Sequence, residues 1–374
     1  MLLFSTTQAP QKSSSQQYLV YVGTFTAKYS SKGIYAFRFD AATGQLSPTG
    51  LAAESADPSF LAVDPSDKYL YAVNEIDNFN GGNYGAVSAF AIDRKNGALK
   101  LLNQVSTHGA RPCHISLDTT GRFVLVANYE GGSVGTFPVQ YDGSLGLIAG
   151  FVQHSGSSID KDRQESPHAH WIGPSPDNRF VMVADLGLDD VLVYRLDPNK
   201  GSLTPDDPPY AQVKPGSGPR HFAFHPNGKF AYVLNEMASN VTAFTYQAQK
   251  GSLSPIQTIP TLPKDYTGAK QAAELVVHPS GKFLYASNRA HDSIAVFAIH
   301  PAKGTLTLTG NVSTKGRTPR SFALDPTGKF LLAANQDSGN IVIFRIDAVT
   351  GELTPTGQVV ETPAPVCIVF VRPE

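Results

Sequence analysis

One aromatic-led apolar run recurs seven times along these 374 residues, and that repeat limits the fold more than any other property of the chain. Tyr18 opens YLVYVGT, Tyr69 YLYAVNE, Phe123 FVLVANY, Phe180 FVMVADL, Phe230 FAYVLNE, Phe283 FLYASNR and Phe330 FLLAANQ. Successive anchors stand 51, 54, 57, 50, 53 and 47 residues apart. A second marker, Gly-x-Leu, gives the same count at Gly44, Gly97, Gly143, Gly201, Gly251, Gly304 and Gly351. Short β-branched and aromatic runs at this period, with turn residues between them, predict an all-β propeller of seven four-stranded antiparallel blades. Turns such as DPSDKY, HPNGKF and DPTGKF carry the Asp, Asn, Gly and Pro that tight connections need.

The two ends fit a closed ring. Residues from Tyr18 supply three strands of one blade, and the C-terminal PVCIVFV supplies the innermost strand that this blade lacks. Joining them leaves no sheet edge open to another chain. Residues 18–374 therefore read as a single domain, after a Ser-, Gln- and Thr-rich leader over 1–17 that is expected to be disordered. The leader lacks a basic n-region, and its apolar run is too short for a signal peptide, which points to the cytoplasm. A secreted or periplasmic protein stripped of its signal would read the same way.

Composition excludes several classes. No apolar run approaches the ~20 residues of a membrane helix. A net charge of -1 gives no reason to expect nucleic acid or an anionic membrane as partner. Cys113 and Cys367 are too few for a disulfide scaffold and read as small buried side chains.

In a blade, the start of the innermost strand and the end of the next strand lie at the same mouth of the central channel. Aligning the repeats puts the doublets Ser59-Phe60, Cys113-His114, His170-Trp171, Arg220-His221, Ala273-Glu274 and Arg320-Ser321 at the first position. At the second stand Asn74-Glu75, Asn128-Tyr129, Asp185-Leu186, Asn235-Glu236, Asn288-Arg289 and Asn335-Gln336. Scaffold alone does not require arginine at 220, 289 and 320, because charge beside a channel costs desolvation unless paired. Long connections starting at Asn74, Gly150 and Thr261 fall on the same face, where repeat folds place their binding loops. Plainer roles exist for some of these groups: the recurrent Asn as a turn cap, His225 and His278 as far-end turn residues, and Arg220 with Glu236 as a structural ion pair. His168 and His170 alternate as metal ligands do, but no third ligand stands out, so no metal and no other cofactor is expected.

The segments HSGSS with RQESPHAH, GPRHFAFHPNGKFAYVLNE, AAELVVHPSGKFLYASNRAHDSIAVF and TPRSFALDPTGKFLLAANQ resemble the lactonase family of seven-bladed propellers, over residues 18–374. That family includes bacterial 6-phosphogluconolactonases and fungal carboxy-cis,cis-muconate lactonising enzymes. The resemblance implies a catalytic set of His170, Arg220, Glu236 and Arg289; from the repeat alignment, His114, His168, His221, Glu274 and Arg320 are expected to complete a substrate-binding rim. It implies a small anionic lactone as partner, on a monomer or weak homo-oligomer. Either Glu236 or His170 would activate water, and the arginines would hold the anion and the developing oxyanion. Hydrolysis of a phosphosugar lactone leads, with muconate cycloisomerisation as the alternative on the same scaffold. A non-catalytic propeller binding a protein or peptide is the alternative of another class. It is disfavoured by the missing Gly-His and Trp-Asp repeat signature, Trp171 being the lone tryptophan. Calcium-dependent gluconolactonases have six blades, against the seven repeats counted here.

Overall fold

The computed structural model describes residues 16–372. Residues 1–15 of the leader expected at 1–17 lie outside them, and the first strand begins at Gln17, inside the span given to that leader. Twenty-eight strands make seven four-stranded antiparallel sheets. Blade 1 runs, from the axis outwards, Pro365–Val371, Gln17–Thr24, Gly33–Asp40, Gln45–Glu54, so the last strand of the chain pairs with the first. Blades 2 to 7 begin at the axis with Leu61–Val63, Pro112–Leu117, Ala169–Pro174, Pro219–Phe224, Ala272–Val277 and Pro319–Leu324. Each innermost strand packs on the next around the ring, and Pro319–Leu324 packs on Pro365–Val371, which in turn meets Leu61–Val63.

The second strands explain the anchored apolar runs. Phe123–Asn128, Phe180–Asp185, Phe230–Asn235, Phe283–Asn288 and Phe330–Asn335 are buried at every position. Strands covered on both faces read as continuous apolar runs instead of alternating ones. Seven apolar clusters fill the gaps between neighbouring blades, such as Phe39 with Phe330 between blades 1 and 7. Each such aromatic contributes roughly 1.5–3 kcal/mol by burial.

The two sequence markers prove to be physical partners. A Cβ placed on Gly304 would stand 2.4 Å from the ring of Phe230, the anchor of the preceding blade. Gly44 meets Phe330, Gly143 Tyr69, Gly201 Phe123, Gly251 Phe180 and Gly351 Phe283 in the same way, all at left-handed φ. Glycine is thus required twice over, for its backbone angle and for the ring that lies where a side chain would begin. Gly97 alone differs, meeting Ala36 and Leu19. At the far face the turns stitch blades together: His225 Nε2 donates to Gly281 O and His278 Nε2 to Gly328 O, each at 2.8 Å.

One irregularity positions the site. In blade 3, Pro112 faces Asn128 but His114 faces Ala127, leaving Cys113 as an extra residue. The same shift leaves His170 extra in blade 4, Arg220 in blade 5, Arg320 in blade 7 and Val366 in blade 1, with an equivalent slip over Ala273-Glu274 in blade 6. A β-bulge bends its strand and re-aims a side chain. Repeated in blades 3 to 7, it separates the two members of five of the six doublets.

Candidate active site

The bulge residues and the ends of the second strands converge on a polar cavity of about 220 Å³ at one mouth of the channel. Its walls include Glu75, Cys113, Tyr129, Arg163, His170, Glu236, Arg289 and Arg320. Of the expected catalytic set, His170, Glu236 and Arg289 line the cavity, and Arg220 stands directly behind Glu236. Arg320, expected in the rim, is a wall residue too.

Glu236 is the hub. Arg220 Nε donates to its Oε2 at 2.9 Å, Arg289 Nη2 reaches Oε2 at 3.0 Å, and Arg163 Nη2 donates to Oε1 at 2.9 Å. Burial would raise its carboxyl, but Arg289, Arg220 and Arg163 together hold it well below the ordinary glutamate range. Arg220 also donates to the Ala273 carbonyl, and burial, with Arg320 and Arg289 nearby, brings it down to about 10. It stays charged at neutral pH. A carboxylate held by three guanidiniums has little affinity for a proton.

His170 is neutral. Burial first, then Arg220, His221 and Arg320, depress its imidazolium well below the usual histidine value. Its Nδ1 lies 3.6 Å from the Cys113 sulfur, a thiol that burial keeps protonated.

Arg320 is placed differently from the other arginines. Its closest carboxylate oxygen is Glu75 Oε2 at 4.0 Å, beyond hydrogen-bond reach, while its guanidinium sits over the Phe25 ring at 5.0 Å from the centroid. The side chain is only 17% exposed.

Four residues expected at the rim do not line this cavity. His114, His221 and Glu274, each the second member of its doublet, instead group with one another outside the cavity. His221 Nδ1 bonds Glu274 Oε1 at 2.6 Å, and its ring stands 5.6 Å from those of both His114 and His170 and 5.7 Å from Phe60. These rings plug the channel beneath the cavity. Burial keeps His114 and His221 neutral as well. His168 precedes the bulged strand and turns away. Its Nδ1 donates to Tyr129 O at 3.0 Å and its ring stacks on Tyr129 at 4.5 Å, so it positions that phenol. Among the described residues no three His, Cys, Asp or Glu side chains gather as a metal ligand set.

The recurrent asparagines hold loops. Asn74 Nδ2 donates to Ala56 O at 2.7 Å and Asn288 Nδ2 to Thr261 O at 3.1 Å. Asp185 takes the corresponding place in blade 4. It accepts from the backbone of His168, Gly187 and Leu188 and pairs with His154 at 2.7 Å, which anchors the long connection carrying Arg163.

Sequence reasoning did not nominate Arg163, Glu75, Tyr129, Arg111 or Cys113. Glu75 and Tyr129 carried a signal, since they occupy the same repeat position as Glu236 and Arg289. Arg111 had none: it stands before its strand and is held by Asp77 at 2.8 Å.

A closed seven-bladed ring with arginines, carboxylates and a neutral imidazole turned into one mouth has the form of an enzyme-type propeller. The family model described as lactonase, 7-bladed beta-propeller, matches residues 19–370. A Bacillus subtilis protein named 6-phosphogluconolactonase is 40% identical over 356 residues, which is 95% of this chain and 99% of the relative. One of that name from Formosa agariphila is also 40% identical, over 82% of this chain and 86% of its own. The solved structure of a Pseudomonas aeruginosa periplasmic gluconolactonase superposes with a TM-score of 0.89 at 36% identity, covering 96% of this chain and all of the other. The chain belongs to the lactonase family of seven-bladed β-propellers.

Proposed function

We propose that this protein is a lactone hydrolase of the 6-phosphogluconolactonase type, opening the ring of a phosphorylated sugar lactone with water. The names of its relatives favour this over cycloisomerisation and over a non-catalytic platform. The single observation that carries the substrate class is Arg320, a largely buried guanidinium facing the cavity with no carboxylate in hydrogen-bond reach. A charge removed from water without a bonded partner is costly, and an anionic ligand relieves that cost. Arg289 and Arg320 hold the substrate anion and the oxyanion that forms at the lactone carbonyl, while His170 offers a neutral imidazole to the same centre. Glu236 keeps the arginines in place. The proposed compartment is the cytoplasm and the proposed state a monomer or weak homo-oligomer; no described helix is long and apolar enough to cross a membrane.

Steady-state hydrolysis of 6-phosphogluconolactone, gluconolactone and a carboxymuconolactone tests the reading. The phosphorylated lactone is expected to give the highest kcat/KM, and equal turnover of the two sugar lactones would refute a phosphate-selective site. Arg320→Ala is expected to raise KM for the phosphorylated lactone about 10–100-fold, the worth of one charge-assisted hydrogen bond, and to change KM for gluconolactone far less. Equal shifts for both lactones would reject Arg320 as the anion anchor.

A further inference from the structure

We propose that Glu75, at the end of the second strand of blade 2, takes the proton from the attacking water, a role that rests on the lactonase reading. Three observations point to it. It lines the cavity alongside His170, Glu236 and Arg289, and it also lines an adjoining cavity of about 290 Å³ with Phe25, Lys28 and Arg111. Its Oε2 is buried without a hydrogen-bond partner, and its closest cation is Arg320 at 4.0 Å. The other buried acceptors are engaged or unsuited: Glu236 is held by three arginines, and Cys113 and Tyr129 stay protonated, while Glu130, which also lines the cavity, is exposed.

Electrostatics separates Glu75 from His170. Protonating His170 creates a buried cation beside Arg220, His221 and Arg320, which is why its imidazolium is depressed. Protonating Glu75 removes a buried charge. Burial accordingly pushes its carboxyl above the ordinary glutamate value, against the pull of Arg320, with Asp57 adding to the rise and Ser59 and Arg220 opposing it. Lys28, Arg111 and Cys113 complete the surroundings from blades 1 and 3.

The step balances. The Glu75 carboxylate accepts one proton as the water oxygen bonds to the lactone carbonyl carbon, and the carbonyl electrons pass to an oxyanion held by the arginines. Collapse of that oxyanion breaks the bond to the ring oxygen, which leaves with the proton from Glu75 as a hydroxyl. The new carboxylic acid releases its own proton to solvent, and Glu75 is again ionised.

Glu75→Gln is expected to lower kcat about 10²–10⁴-fold with little change in KM. A base must be ionised, so wild-type kcat falls as pH drops through the Glu75 value. That acidic limb disappears in the residual activity of Glu75→Gln and persists in Glu75→Asp and His170→Gln. Wild-type activity on 6-phosphogluconolactone is measured first. If no lactone is turned over, the functional reading falls and this role with it. If the wild type is active and Glu75→Gln keeps its kcat and limb, or moves KM alone as a counter-ion of Arg320 would, only the role of Glu75 is overturned. Should Glu75→Gln not fold, loss of the limb in Glu75→Asp with kcat unchanged overturns it equally.

Discussion

Replacing Glu236 by Gln is expected to abolish most activity and to weaken the fold at the same time. The carboxylate neutralises a cluster of three guanidiniums, of which Arg220 is only 3% exposed and cannot turn to solvent. Removing one member of a buried ion cluster leaves the others uncompensated, at a cost of about 3–5 kcal/mol. The arginines then repel one another and leave their positions, so kcat/KM falls by about 10²–10³-fold, as when a preorganised donor is lost. Chemical unfolding and kinetics on one preparation check both halves. The pH dependence separates this account from a simple packing defect. The carboxyl is depressed in the folded protein, so its stabilisation is fully present above the unfolded glutamate value, about 4.3. It is lost as pH falls through the lower folded value. The stability gap between wild type and variant is therefore constant from neutrality down to about pH 5 and narrows in stronger acid. A gap that keeps its full size down to pH 2 would reject the ion cluster as its cause.

The second large effect concerns the ring. Gly304→Ala is expected to destabilise by about 2–5 kcal/mol: roughly 1–2 from placing an L-residue at left-handed φ and 1–3 from overpacking. The overpacking arises because the new methyl would sit 2.4 Å from the buried ring of Phe230. Gly228→Ala is the control, since Gly228 has nearly the same φ, +66 against +68, and nothing within 4 Å of the added carbon. It is expected to show the backbone cost alone. Equal losses in the two variants, by thermal or urea unfolding, would show that the contact between anchor and glycine carries no weight.

That contact also explains why the fold could be read from residues alone. The anchors and the Gly-x-Leu turns recur together because in six of the seven repeats each meets the other across a blade boundary, so the repeat in sequence records a repeat in packing. The site was legible to the level of a mouth and a set of doublets, and no further. A bulge adds one residue to a strand without any residue type to announce it. Arg220 and His221 therefore looked equivalent, although one faces the cavity side and the other the channel plug. His168 and His170 looked like an alternating pair, yet the bulge at His170 and the turn at His168 send them to different tasks. Arg163 reaches Glu236 from a long connection outside the repeated strands, so no alignment of repeats could find it. Glu75 was in view at the position of Glu236 but lacked any mark to set it apart. What separates the two is the number of arginines in reach, which is a property of the folded ring.

The recurrent bulge has a consequence for how such an enzyme changes. Five blades offer a socket, a single extra residue set at one mouth of the channel while the hydrogen-bonded ladder beyond it stays in register. Cys113, His170, Arg220, Arg320 and Val366 occupy such sockets here. Exchanging one occupant alters the chemistry of the mouth and leaves the neighbouring blades untouched. New substrate preferences are thereby open to single substitutions, without prior redesign of the framework that holds them.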